Sequence, residues 1–162
     1  MFPVNIAGSI RFRIGALSAT ETIKAVTSRI AGMLHWEKAR SVTIAGSSVT
    51  FTDDRWRLKA KSMILLFERG VFDVEADNAY VRVRYRVGTT HQTITTLFIA
   101  TVFGALSAIT YKGPLNLKVL AALVGMGWIG GWLWGIIFVS AKIYVPLWLR
   151  KGLRNLPELQ KR

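Results

Sequence analysis

TITTLFIATVFGALSAITY, residues 93–111, and VLAALVGMGWIGGWLWGIIFVSA, residues 119–141, decide how the rest of the chain must be read. Neither stretch carries Lys, Arg, Asp or Glu, and the uncharged intervals run from Arg86 to Lys112 and from Lys118 to Lys142. A helix needs about 20 mostly apolar residues to cross the hydrocarbon core of a bilayer, and such runs seldom occur as buried helices of soluble domains. Both stretches are therefore expected to be transmembrane helices. The connector Lys112-Gly113-Pro114-Leu115-Asn116 is short and holds a Gly-Pro turn signal, so the spans should form a tight antiparallel hairpin.

Flanking charge sets the orientation. Arg82, Arg84 and Arg86 precede the first span, Lys142, Arg150, Lys151 and Arg154 follow the second, and the connector offers only Lys112 and Lys118. Cytoplasmic flanks of membrane helices are enriched in Lys and Arg, which places both termini in the cytoplasm. The start, Met1-Phe2-Pro3-Val4-Asn5-Ile6, lacks a charged segment followed by an apolar run, so no cleavable signal is expected. The expected organisation is a cytoplasmic α+β domain over 1–92, a transmembrane helical hairpin over 93–149 and a basic cytoplasmic tail over 150–162. The expected location is a prokaryotic inner membrane.

Composition agrees with a chain that is only partly in water. Of 162 residues, 51% are hydrophobic and 19% charged, and 22 Lys and Arg against 9 Asp and Glu leave a formal net charge of +13. That balance favours anionic partners, with lipid head groups ahead of nucleic acid. The absence of cysteine excludes disulfides, thiolate metal sites and cysteine nucleophiles. His35 and His91 read as structural or interfacial groups, since neither has a second metal ligand in view.

Within 1–92, Ser18-Ala19-Thr20-Glu21 reads as a capping box that starts a helix ending near His35 to Glu37. Ile23, Val26, Ile30 and Met33 or Leu34 recur at three- and four-residue intervals, giving that helix one apolar face. Ile10 to Ile14, Ser41 to Ile44 and Val49 to Phe51 alternate with period two, and Gly46-Ser47 separates the last two as a turn. Met63 to Phe67 reads as a further strand leading into Arg69-Gly70. A turn at Asp77-Asn78 would set Asp73 opposite Arg82, Glu75 opposite Tyr80, Phe72 opposite Val83 and Val74 opposite Val81. The fold class is then α+β, one amphipathic helix on an antiparallel sheet of about five or six strands.

No P-loop, dinucleotide fingerprint, HExxH or GxSxG motif occurs, so no catalytic residue, metal or cofactor is nominated and an enzyme is not favoured. Asp53-Asp54 beside Arg55 reads as a solvated turn rather than a metal pair. Chemistry-bearing features lie elsewhere. Ala100, Gly104 and Ala108, with Thr96, repeat every four residues in the first span, and Gly127, Gly131 and Gly135 do so in the second. Small-residue stripes of this kind let helix backbones approach closely in lipid, against each other or against another subunit. Trp128 and Trp132, one turn apart, are candidates for contact with a hydrophobic partner or pigment. Arg82, Arg84 and Arg86 on one strand face, and Arg150, Lys151 and Arg154 in the tail, are candidates for an anionic partner or the membrane surface. Past Lys142, Pro146 is expected to bend the helix so that it leaves along the cytoplasmic interface, with Tyr144 and Trp148 at head-group depth.

The functional expectation is a small integral membrane protein acting as a non-enzymatic accessory, assembly or scaffold subunit of a larger membrane complex, homo-oligomers included. The competing expectation is a membrane-anchored binding or sensing module that recognises a lipid head group, nucleotide or nucleic acid through its arginine-bearing strand.

Overall fold

The computed structural model describes residues 5–13, 18–53, 67–77, 79–154 and 156. Its elements are β1 (Asn5–Arg13), α1 (Ala19–Trp36), β2 (Ser41–Ala45), β3 (Ser48–Thr52), β4 (Arg69–Ala76), β5 (Tyr80–Gly88), α2 (Thr90–Thr110), α3 (Leu115–Val139), a π-helical turn (Ser140–Tyr144) and α4 (Val145–Leu153). The strands form one five-stranded antiparallel sheet in the order β1-β5-β4-β3-β2.

α1 starts where its cap chemistry says it should. The Glu21 amide donates to the Ser18 hydroxyl at 3.4 Å and the Ser18 amide donates back to the Glu21 carboxylate at 3.2 Å, closing the capping box. The Ser18 hydroxyl, which donates to the Glu21 carboxylate at 2.7 Å, and then the Ser18 amide hold the exposed Glu21 carboxyl below its ordinary pKa. Val26, Ile30, Ala31 and Leu34 form the face that α1 buries, and the helix stops at Glu37, just before Lys38 takes a positive φ. Gly46, at φ +60°, supplies the backbone that turns β2 into β3, with Ala45 paired to Ser48 as the expected Gly46-Ser47 turn requires.

The inner face of the sheet presents Ile6 and Ile10 of β1, Val49 and Phe51 of β3, Phe72 and Val74 of β4, and Val81, Val83, Tyr85 and Val87 of β5, all buried. Two helices cover this face where the sequence suggests one. The second is α4, whose Val145, Leu149 and Leu153 lie one turn apart and are buried in the same core as α1 and the strands. Trp148 packs its ring 6.0 Å from that of Phe72 and donates from Nε1 to Glu37 at 3.3 Å. α4 thus packs into the core of the sheet domain instead of leaving along a membrane interface, and helical structure continues through Pro146 from Leu115 to Leu153, 39 residues. At 1.5 Å per residue that is about 58 Å, long enough to span a bilayer core and still traverse a small domain.

The π turn explains how proline is tolerated inside this helix. The Val145 amide donates to the Ser140 carbonyl, five residues back, and Pro146 has no N–H to give. The Ala141 carbonyl is left without a donor from its own helix, and the Tyr85 hydroxyl fills the gap at 3.2 Å. Tyr85 reaches it because its ring lies over Gly8, where any β-carbon would collide with the phenol. Lys142, next along, donates from Nζ to the Ala7 carbonyl of β1 at 2.6 Å. Gly152 lets α4 cross α1 closely, against the side chain of Met33, and its carbonyl accepts from Arg29 Nε at 3.2 Å.

The β4–β5 register differs from the expected one by two residues: Asp73 pairs with Arg84, Glu75 with Arg82, Phe72 with Tyr85 and Val74 with Val83. The strands close one residue later, where the Asp77 amide donates to the Tyr80 carbonyl at 2.8 Å. A two-residue slip preserves the in/out parity of every side chain, which is why the apolar and charged faces are those expected. The strand expected over Met63 to Phe67 lies outside the described residues except for Phe67, which is buried.

Truncating Leu149 to Ala should destabilise the α+β unit by about 2–5 kcal/mol, the cost of a buried leucine cavity, seen as a lowered chemical-denaturation midpoint of the full chain in detergent. Replacing Tyr85 with Phe strands the Ala141 carbonyl and should cost about 1–3 kcal/mol. Burial raises the Tyr85 hydroxyl above its ordinary pKa of 10.0. Its contribution to stability is therefore complete below that value and is lost as pH rises through the folded-state value. A tyrosinate absorbance titration should show a late-titrating phenol that disappears in Tyr85→Phe.

Candidate interaction surfaces

α2 and α3 are both long and apolar enough to cross a membrane. They pack along each other through small residues. A β-carbon on Gly104 would strike the Met126 side chain and come within 2.9 Å of the Ala122 carbonyl, one on Gly125 would lie 2.6 Å from the Ser107 hydroxyl, and one on Gly130 would lie 3.2 Å from the Ala100 methyl. Thr96, Ala100 and Gly104 are buried in this contact and Ala108 is partly so. The face that α3 turns to α2 is thus Ala122, Gly125, Met126 and Gly130.

Gly127, Gly131 and Gly135 are not on it. A β-carbon at any of the three would meet nothing within 4 Å. At 100° per residue they fall on the side of α3 opposite Ala122 and Met126, in line with the exposed Leu120 and Val124. Trp128 and Trp132, 74% and 66% exposed, border this groove on one side, and Trp134, stacked on Phe138 with centroids 6.0 Å apart, borders it on the other. Not one residue of α3 is buried within the chain.

The second surface is the outer face of the sheet. It carries Arg11 and Arg13 on β1, Tyr80, Arg82, Arg84 and Arg86 on β5, and Val71, Asp73 and Glu75 on β4. Arg84 pairs with Glu75 at 3.0 Å, across the diagonal of the ladder. Asp73 is held instead by the Ser48 hydroxyl of β3 at 2.5 Å. Among the described residues no carboxylate lies within ion-pair distance of Arg82, Arg86 or Arg11. Arg11 carries the greatest surprise: it pairs directly with Arg82. The alternation Ile10-Arg11-Phe12-Arg13 announces the face of Arg11, but its partner lies too far along the chain for sequence spacing to reveal. Arg150, Lys151 and Arg154 project from the exposed side of α4, opposite its buried stripe.

Among the described residues no group of three or more His, Asp or Glu side chains could hold a metal ion. No protein-family model, curated protein or solved structure matches the chain.

Because the obstacle at Gly104 includes the Ala122 backbone, Gly104→Val should separate α2 from α3 and destabilise the pair by about 1–3 kcal/mol. Gly131→Val, with open space around it, should leave thermal unfolding in detergent within about 0.5 kcal/mol of the parent.

Proposed function

We propose that the protein is an integral membrane protein that works by contact, as a non-enzymatic accessory or scaffold subunit of a larger membrane complex. One observation carries the reading: the groove over Gly127, Gly131 and Gly135 is left open by the chain's own packing. Glycine in a helix interior costs about 1 kcal/mol relative to alanine, and here no intramolecular contact offsets that loss. Another membrane helix would, since close backbone approach is what drives helix association where lipid supplies no hydrophobic force. Trp128, Trp132 and Trp134 then form the walls of a slot for that helix. A contiguous apolar surface of this extent is unsuited to water, which supports lipid and protein as its surroundings. Flanking arginines and lysines support an inner-membrane placement with both ends of the chain in the cytoplasm and the sheet domain on that side.

Purification from native membranes in mild detergent, with mass spectrometry of what co-migrates, tests the reading. Stoichiometric recovery with another membrane protein is expected, and Gly131→Ile should reduce that recovery at least about tenfold, the effect of losing roughly 1.4 kcal/mol of association energy. Recovery of the chain alone, or full retention of the partner by Gly131→Ile, would overturn it.

A further inference from the structure

The register of β1 against β5 sets Arg11 directly across from Arg82 on the outer face of the sheet. Like charges at opposed positions of a ladder repel, and these two come from distant parts of the chain. The nearest acid on the other flank, Glu75, is paired with Arg84. Beside the two guanidinium groups lies a cleft of about 350 Å³ lined by Arg11, Glu75, Ala76, Asp77, Tyr80 and Arg82. That volume is within the range of small-ligand sites.

Enrichment of arginine next to a membrane helix does not account for this pair. Arg11 sits on the first strand, far in sequence from α2, and Arg82 precedes Gly88 by six residues. At about 3.3 Å per strand residue, Arg82 lies roughly 20 Å from the end of β5 that leads into α2. Lipid head groups at the start of α2 are closer to Arg86 than to Arg82.

From this juxtaposition we infer that the cleft binds a nucleoside phosphate, with the phosphate held between Arg11 and Arg82. Guanidinium groups bind phosphate through paired, charge-assisted hydrogen bonds, and a bound phosphate cancels the repulsion across the ladder. Tyr80, 51% exposed, offers a ring against which a planar base can stack. The Glu75 carboxylate accepts hydrogen bonds and donates none, so it suits a ribose hydroxyl or an exocyclic amine, and the acidic side of the lining opposes a second anionic group. A ligand anionic at one end and donor-rich at the other satisfies both halves of the lining.

The test is calorimetric titration of ADP into the full chain in phosphatidylcholine nanodiscs at low ionic strength. Saturable binding is expected, weakened about tenfold or more in Arg11→Gln and in Arg82→Gln, as loss of a charged hydrogen bond requires. Without ligand, Arg11→Gln should melt at or above the temperature of the parent, because the like-charge contact is relieved, while losing the upward shift that ADP gives the parent. That pairing separates a lost site from a misfolded domain. Absence of ADP binding, binding by either variant as tight as that of the parent, or inorganic phosphate binding as tightly as ADP would overturn the assignment. Displacement of ADP by nanodiscs rich in phosphatidylglycerol would also overturn it, by giving the arginines to the membrane surface. None of these outcomes depends on a partner subunit, so the inference stands or falls separately from the assembly reading.

Discussion

A single helix, from Leu115 to Leu153, has two different surroundings, and the rest of the structure depends on that continuity. Over α3 no side chain is buried, although Ile137 near its end packs against the domain core, whereas over α4 Val145, Leu149 and Leu153 are inside it. The inner face of the sheet needs both α1 and α4 to be covered. Phasing between the two parts is set by the π turn, since one extra residue in a turn rotates everything beyond it by about 100°. The same turn accommodates Pro146, and the carbonyl it leaves over is taken by Tyr85. Lys142 ties the junction to β1 from the other side. Domain and helix are thus joined by side-chain hydrogen bonds and shared apolar packing as well as by the peptide chain.

Much of this was legible from residues alone, where the determining interaction is local. The capping box at Ser18 and Glu21, the Gly46-Ser47 turn, the period-two strands and the two apolar helices all depend on neighbours within a few positions. What spacing cannot report is the identity of the surface opposite. Val145, Leu149 and Leu153 form an amphipathic stripe that suits a lipid interface and a sheet equally, and only the sheet's uncovered face distinguishes them. The β4–β5 turn failed for a related reason: adjacent two-residue turns differ by one position, and both give the same faces. Arg11 was visible as an outward residue, but its confrontation with Arg82 is a product of long-range pairing.

The two helix stripes illustrate the same limit. Spacing alone left open whether Ala100, Gly104 and Ala108 face Gly127, Gly131 and Gly135 or another subunit. The packed pair instead uses Ala122, Gly125 and Gly130 against the first stripe, because α3 carries more small residues than one contact consumes. The outer sheet face shows an electrostatic version of such surplus, with Arg84 paired to Glu75 while, among the described residues, Arg82 and Arg86 have no ion pair.

The position of α4 also makes the domain a monitor of its own biogenesis. In chain order α4 follows both apolar helices, so the strands and α1 emerge from the ribosome without the segment that closes their core. For a chain that crosses the bilayer twice, α4 reaches the sheet only when α3 has inserted with its C-terminal end on the sheet's side. A misoriented α3 would strand Leu149 and Leu153 across the membrane and leave Phe72 and its neighbours uncovered, a surface that quality-control proteases recognise. On the membrane reading proposed above, correct threading of the bilayer and completion of the sheet's core would be the same event.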